Sequence, residues 1–213
     1  MLPTATTEVR LQIGHATEPG ATSTKNDDAY LLFPSYYVPN VDSPDSLPIR
    51  VAIVADGLGD DGIGGVASQL AVEKMYSVIS ELQSTPIAER MVEAFTRANA
   101  DVFRGATEDS SLIGMRTSVA AAAIIQDKLY LSYVGNTRVY LFRGDQSTRL
   151  TNDHTWTNEA IQASTLTVEE AVTHPKRDLD TRSIGAESTI KVDQQLNDPL
   201  AGGINSVYTP PLS

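Results

Sequence analysis

Hydrophobic and polar positions along the first half of the chain indicate short strands followed by two long helices. Alternating apolar residues predict strands at 9–13 and 28–33, and the apolar run 50–55 predicts a strand buried on both faces. Apolar residues recur at helical spacing over 66–82 and 86–103. Because the link between these two segments is short, we expect the helices to pack antiparallel.

The second half of the chain has the pattern of a meander. Apolar runs at 118–125, 129–134 and 137–142 are separated only by short turn sequences. Links this short require antiparallel pairing of successive strands. Short helices are predicted after residue 156, where Thr167 and Glu170 have the spacing of a capping box.

A proline-rich segment at 34–48 interrupts the early strands. Its four prolines exclude a central strand, so the segment is predicted to be a loop insertion. It is either a partner-binding insertion or a tolerated surface loop. Residues 1–213 otherwise form one predicted domain, since neither repeats nor a low-complexity tract divide them.

The charge of the chain bears on its partners. Twenty-seven acidic against sixteen basic residues give a net charge of -11, which disfavours binding to nucleic acid or to a membrane surface. The absence of cysteine excludes disulfides, thiolate zinc sites and a cysteine nucleophile. Without a signal peptide or an apolar span, we expect a cytoplasmic protein.

The segment 57–62 has the G-x-G-x-x-G spacing of a dinucleotide-binding loop. Its carboxylates, however, repel a pyrophosphate: they are Asp56, Asp60 and Asp61. The acidic residue expected about 20 positions later at the end of a second strand is also absent. The dinucleotide hypothesis is therefore kept only because of the glycine spacing.

The same carboxylates suit a divalent cation. Asp56 follows a buried strand, and Gly57 allows a sharp turn that lets its carbonyl face an ion. Mg²⁺ and Mn²⁺ prefer such oxygen ligands. Alternatively, Asp56 caps a turn or the following helix, and spacing alone does not decide between the two.

Ordered motifs between about residues 9 and 195 carry a resemblance to a known family. The segment VAIVADGLGDDGIGGVAS resembles ADGMGG…GEVAS, and TKNDDAY resembles NNEDAY. Further on, GMRTSVAAAAII, LYLSYVGNTRVYLF and LTNDHTW resemble GMGTTLVAA, LYVANVGDSRAYLL and LTRDHSW, and LTVEEAVTHPKRDLDTRSIGAE resembles ITPEEARSHPQRNVLTRALGAE. These are motifs of the metal-dependent serine/threonine protein phosphatases of type 2C in their bacterial form.

The resemblance implies an α+β fold, the αββα sandwich of two antiparallel sheets flanked by helices. It implies hydrolysis of phosphoserine and phosphothreonine by a water that two Mg²⁺ or Mn²⁺ ions activate. The implied partner is a phosphorylated protein or a signalling partner.

The resemblance also assigns site residues. Asp56 would bridge the two ions, and Gly57 would offer its carbonyl oxygen. Asp27 and Asp28 match an acidic pair that acts mainly through metal-bound waters. Asp28 and Asp56 are thus the predicted catalytic residues.

Substrate contacts are predicted from the same motifs. The phosphate-gripping arginine of the family corresponds to Ser23 here, with Lys25 nearby as a weaker replacement. His174 and Arg177 fall in the variable flap of the family and offer positive charge. Asn136 replaces the aspartate of a third metal site, which should weaken that site.

Other departures reduce the expected activity. Asp60 and Asp61 replace a glycine and a histidine, and the chain ends at Ser213, before two further metal aspartates and their strands. We therefore expect a domain that is incomplete at its C-terminus, with weak metal binding and little phosphatase activity. The alternative function is a catalytically silent relative that acts as a regulatory or partner-binding module.

Overall fold

The computed structural model describes residues 13–19, 25–36, 49–59, 62–82, 84–125, 128–177, 179–197 and 207–208. Within these ranges the strands are β1 (Asp28–Tyr36), β2 (Ile49–Leu58), β3 (Arg116–Ile125), β4 (Lys128–Val134), β5 (Tyr140–Arg143), β6 (Gln146–Arg149), β7 (Asp193–Asn197) and β8 (Val207–Tyr208). The helices are α1 (Ile63–Glu81), α2 (Ile87–Glu108), α3 (Trp156–Gln162) and α4 (Val168–Val172), with a short 3₁₀ helix at Ser110–Leu112.

The strands form two antiparallel sheets. The larger sheet has the order β1-β2-β3-β4-β7, and the smaller has the order β6-β5-β8. Two antiparallel sheets with accompanying helices confirm the predicted α+β sandwich.

The long helices α1 and α2 pack against one face of the larger sheet. Ion pairs run from Glu81 to Arg97 and from Lys74 to Asp101, so an earlier residue of α1 meets a later residue of α2. This order confirms the antiparallel packing predicted from their short link. Neither these helices nor the shorter ones in the described ranges combine the length and apolarity that a membrane span requires.

The core lies mainly between the larger sheet and these helices. In β2, Val51, Ile53 and Ala55 are buried on the helical side, whereas Ala52 and Val54 on the opposite face are only half-buried. The prediction of a strand buried on both faces was therefore wrong for the second face. That face points to the smaller sheet, where the apolar clusters are small.

The connection from β4 to β5 corrects another prediction. Gly135 follows β4 with a φ of 100°, and residues 137–139 cross to the smaller sheet before β5 begins. Strand β4 pairs with β7 instead of β5, so the predicted hairpin between them was wrong. Val139 is buried on this crossing and packs with Leu131 and Tyr133.

The first predicted strands differ at their ends. Residues 9–12 lie outside the described residues, and Ile13 is not in a strand. Strand β1 continues through Pro34 to Tyr36 with an irregular register, because an edge strand tolerates proline. Residues 34–36 therefore belong to β1 and not to the predicted loop, and residues 37–48 lie outside the described part.

Candidate active site

Two predicted carboxylates lie side by side where β1 begins and β2 ends. Asp28 is the register partner of Asp56, and Asp56 is in turn the partner of Ser118 on β3. Directly opposed residues of antiparallel strands project from the same face, which here is the face toward the smaller sheet. The Thr117 hydroxyl donates a 2.7 Å hydrogen bond to the backbone carbonyl of Asp56 and fixes the strand at this point.

The charges at this point are poorly compensated. Burial raises the pKa of Asp56 to about 7, and the neighbouring charges of Asp28, Asp180 and Asp27 contribute in that order. Partial burial, followed by the charge of Asp27, also raises the pKa of Asp28. The Asp56 carboxyl hydrogen-bonds to Asp28, so near neutral pH the pair shares a proton.

The turn predicted at Gly57 was wrong, because this residue lies inside β2, opposite Thr117. The role of its carbonyl as an ion ligand stays a prediction. A Cβ at Gly57 would lie 2.5 Å from the carbonyl oxygen of Asp27 and still closer to the backbone of Gly64. Glycine is needed because the first turn of α1 lies directly on the strand backbone.

The strand directions exclude the dinucleotide hypothesis. Strands β1 and β3, the two neighbours of β2, both run antiparallel to it. A dinucleotide loop requires a parallel βαβ unit around the glycine-rich turn. The glycine spacing at 57–62 instead reflects the close approach between α1 and β2.

Asp27 is anchored to α1. Its backbone carbonyl accepts hydrogen bonds from the Gly57 amide at 3.2 Å and the Ser68 hydroxyl at 2.6 Å. Its carboxylate oxygen lies 3.0 Å from where a Cβ of Gly65 would stand, on the helical side of the sheet. Asp27 and Asp28 therefore point to opposite faces, and the water-mediated role of Asp27 stays a prediction.

Asn136 follows β4, two strands along the sheet from Asp56, and contacts Ser118 on the strand between them. Its side-chain oxygen accepts a 2.8 Å hydrogen bond from the Ser118 hydroxyl. Its backbone amide donates a 3.3 Å hydrogen bond to the Ser118 hydroxyl oxygen. Ser118 stands opposite Asp56, so the sheet brings Asn136 to the same end. Sequence reasoning missed Ser118 because only strand pairing relates it to Asp56.

The predicted substrate residue Lys25 lies at an open groove between the start of β1 and α1. The groove has a volume of about 800 Å³ and is lined by residues that include Asp27, Asp28, Gly62 and Val66. Lys25 is exposed, and its Nζ lies 3.1 Å from where a Cβ of Gly62 would stand. Ser23, Asp60 and Asp61 lie outside the described residues.

The predicted flap residues are attached to α3. The His174 ring stacks on Trp156 with centroids 4.5 Å apart, and Lys176 Nζ lies 4.9 Å from the same indole ring. The backbone carbonyl of Arg177 accepts a 3.3 Å hydrogen bond from the Thr157 hydroxyl. These contacts hold the flap in place, and substrate binding by His174 and Arg177 stays a prediction.

Asp180 is a site residue that the sequence did not indicate. It follows the flap, pairs with Thr155 in an isolated bridge, and raises the pKa of Asp56 more strongly than Asp27 does. It is 124 positions from Asp56 in the chain, a separation at which sequence spacing carries no signal. Only the fold reveals this fourth carboxylate.

The carboxylate pair fits a cation, although the described residues do not form a complete cage. A divalent ion would replace the proton that Asp28 and Asp56 share and would offset the charges that raise their pKa values. Within the described ranges, no group of three or more histidine, aspartate or glutamate side chains is close enough to hold a metal ion. The described residues thus offer part of a binding site, and the binding of two ions stays a prediction.

Comparisons with known proteins agree with this geometry. A profile of the protein phosphatase 2C family matches residues 38–170. A serine/threonine phosphatase of Listeria innocua is 30% identical over 147 residues, which cover 67% of this chain and 58% of that protein. The chain belongs to the protein phosphatase 2C family.

Solved structures show the same fold. The Streptococcus agalactiae serine/threonine phosphatase is 27% identical, with a TM-score of 0.74 over 85% of this chain and 72% of that one. The catalytic domain of the phosphatase PstP, solved with two manganese ions, is 22% identical, with a TM-score of 0.65 over 85% of this chain and 70% of that one. The chain spans less than two thirds of the length of the Listeria relative.

Proposed function

We propose that this chain is a protein serine/threonine phosphatase domain that hydrolyses phosphoserine and phosphothreonine with the help of Mg²⁺ or Mn²⁺. The observation that carries the proposal is the facing pair Asp28 and Asp56, whose raised pKa values indicate carboxylates in need of a cation. Membership of the phosphatase family supports the same chemistry.

In this proposal each residue of the site has a distinct task. Asp56 and Asp28 would hold the cation, the Gly57 carbonyl would add a neutral oxygen ligand, and Asn136 would stand at the weakened third-metal position. Asp27 acts from the helical side through ordered water. When bound, the cation supplies a water that is acidic enough to attack phosphorus at neutral pH.

The protein must also attract an anionic substrate despite its negative charge. Lys25 lies at the open groove next to Asp27 and Asp28, where it would meet a phosphoryl group. Lys176 and Arg177 contribute positive charge from the flap, and His174 of the same segment offers a hydrogen-bonding ring. A phosphorylated protein segment is the substrate class that this distribution of charge favours.

The experiment that tests the proposal is Mn²⁺-dependent hydrolysis of an aryl phosphate and of a phosphothreonine peptide. Asp56→Asn should lower the rate by at least about a hundredfold, because it removes the charged ligand at the centre of the site. Asp145→Asn makes the same chemical change in the exposed β5–β6 turn and should leave the rate unchanged. Equal rates for both variants would refute the proposal.

A specific observation also supports a second function. The described residues lack a three-ligand group, and Asn136 has replaced a charged ligand of the family. A catalytically silent relative that binds a phosphoprotein or signalling partner would show these features. It would bind phosphopeptide without hydrolysing it, and its affinity for Mn²⁺, measured by calorimetry, would be micromolar or weaker.

A further inference from the structure

His154 is a buried histidine at the junction of several segments near the site. Its side chain is 3% exposed, and its ring stacks on Tyr133 with centroids 5.3 Å apart. Its backbone amide donates to the carbonyl of Gly135 at 3.0 Å, and its own carbonyl accepts from the amide of Thr181 at 2.8 Å. His154 therefore connects the turn after β4 with the segment that follows the flap.

The ring of His154 makes a second contact with the same turn. The Gly135 amide donates a 3.0 Å hydrogen bond to Nδ1, so Nδ1 carries no proton. The proton of the neutral ring is then on Nε2, which lies 3.3 Å from the Asp193 carboxylate. Both backbone groups of Gly135 are thus bound by one residue.

The surroundings of the ring favour this neutral form. Burial lowers the pKa of His154, and the charge of Arg182 lowers it further, whereas Asp193 and Glu159 act in the opposite direction. Arg182 in turn binds Asp193 at 2.8 Å and limits the pull of that carboxylate on the ring. A neutral histidine with Nε2 protonated is the state that can accept from Gly135 and donate to Asp193 together.

The turn held by His154 leads directly to the carboxylate site. A Cβ at Gly135 would lie 2.8 Å from the Cα of Ser118, so the turn lies against β3 at the level of Asp56. The next residue, Asn136, exchanges two hydrogen bonds with the Ser118 hydroxyl. Displacement of Gly135 would therefore move Asn136 relative to Ser118 and Asp56, which the pairing of β2 with β3 holds together.

We propose that His154 is a positioning residue of the cation site: its neutral ring fixes the Gly135–Asn136 turn and thereby places the Asn136 oxygen beside Ser118, the strand partner of Asp56. The proposal rests on the cation site of the proposed function. Outer residues that orient ligands affect metal affinity by about 10–100-fold, which sets the size of the expected effect.

Two substitutions separate positioning from mere filling of space. In His154→Asn the shorter side chain keeps an acceptor near the place of Nδ1, whereas in His154→Gln the longer side chain keeps its polar group near Nε2. We expect His154→Asn to hold the Gly135 amide and to bind Mn²⁺ within about threefold of the wild type. His154→Gln should release this amide and weaken Mn²⁺ binding about tenfold or more.

The measurements are amide hydrogen exchange at Gly135 and Asn136 without metal, and Mn²⁺ calorimetry on the 213-residue chain. Ring ¹⁵N shifts of the wild type should show an unprotonated Nδ1. The opposite tautomer, or equal exchange and equal Mn²⁺ affinity in the two variants, would overturn the proposal. If neither variant folds, Ser118→Ala breaks the same connection at its other end and should lower Mn²⁺ affinity while leaving the His154 ring shifts unchanged.

Mn²⁺ binding to Asp56→Asn distinguishes failure of the proposed cation site from failure of the role proposed for His154. If wild type and Asp56→Asn bind Mn²⁺ equally, the cation site is wrong, whatever His154 does. The exchange measurements need no metal, so they still decide whether the neutral ring of His154 holds the turn.

Discussion

Two aspartates of the larger sheet, Asp56 on β2 and Asp193 on β7, have pKa shifts of opposite direction because their neighbours differ in charge. Burial raises the pKa of both carboxyls. At Asp56 the neighbouring carboxylates add to this effect and bring the pKa to about 7. At Asp193 the hydrogen bond and charge of Arg182, together with His154, outweigh burial and lower the pKa below its usual value.

The difference distinguishes a structural carboxylate from one available to a ligand. Asp153, another buried aspartate, likewise has compensating partners: Arg138 binds it through two nitrogens and Arg149 lies 3.3 Å away. Every influence that acts on the pKa of Asp56 raises it. A half-buried carboxylate whose surroundings all raise its pKa is poorly suited to stabilising the fold and well suited to binding a cation.

The largest expected effect comes from Gly57→Ala, which tests whether the backbone fixes Asp56 in its uncompensated position. The added Cβ would meet backbone atoms of Asp27 and Gly64, which cannot move without separating α1 from β2. We expect the free energy of unfolding to fall by about 3 kcal/mol, as for severe overpacking. Urea unfolding measures this change.

Gly14→Ala is the matched control for this substitution. A Cβ at Gly14 would meet no atom within 4 Å, and its φ is not in the left-handed region. It should leave the free energy of unfolding within about 0.5 kcal/mol of the wild type. Similar values for both variants would show that α1 does not press on β2 at Gly57.

Arg182→Met should convert Asp193 into a carboxylate like Asp56. Without the arginine, burial dominates, the pKa of Asp193 rises, and stability at pH 7 falls by about 1–2 kcal/mol. The wild-type contribution is present above the unfolded pKa near 3.8 and is lost as pH falls through the lowered folded pKa. The difference between the two proteins should therefore shrink in strong acid, where only the hydrogen bond from Arg182 to the Lys191 carbonyl remains.

Its control is Arg104→Met, which removes an exposed pair with Asp101 on α2. Surface pairs of this kind contribute little, so the loss should stay below about 0.5 kcal/mol. Urea unfolding across pH compares both variants. An equal loss in the two would mean that Asp193 is not stabilised by its partner.

Asp56→Asn tests whether the raised pKa of Asp56 lowers the stability of the fold. The folded pKa of about 7 lies above the unfolded value, so the wild type loses stability as pH rises from about 4 to 7. Asparagine does not ionise, so the variant does not lose stability in this way. After allowance for solvent screening, its free energy of unfolding should exceed that of the wild type by about 1–2 kcal/mol at pH 8 and equal it at pH 4. Urea unfolding at both pH values checks the sign, and a less stable variant at pH 8 would contradict it.

Local patterns predicted the scaffold well where periodicity and turn residues determine the structure. Both long helices, the central strands and the capping box of Thr167 and Glu170 follow from such patterns. The hairpin expected between β4 and β5 failed because the left-handed Gly135 directs the chain into the other sheet, a choice made by packing. Short links indicate pairing only when both strands belong to one sheet.

For the site, the motifs assigned Asp28, Asp56 and Asn136 to metal binding. The structure pairs Asp28 with Asp56 and joins Asn136 to Ser118, the partner of Asp56, while their metal roles stay predictions. They did not locate Ser118 or Asp180, since strand register and the path after the flap determine those positions. The sequence also could not predict where the Asp27 side chain points, because only the packing of α1 on the sheet shows that its carboxylate faces the helix.

The smallest expected effect belongs to Asp180→Asn, which tests whether the segment after the flap reaches the site. Removing this charge should lower the pKa of Asp56 from about 7 toward its usual value, by less than Asp28→Asn does, because Asp28 acts more strongly. Carboxyl ¹³C titration of the metal-free protein measures both shifts, and Asp145→Asn should cause none. An unchanged Asp56 titration in Asp180→Asn would mean that the flap segment lies farther from β2 than the bridge between Thr155 and Asp180 implies. Asp56 would then owe its raised pKa to burial and to the two aspartates of β1 and its preceding turn.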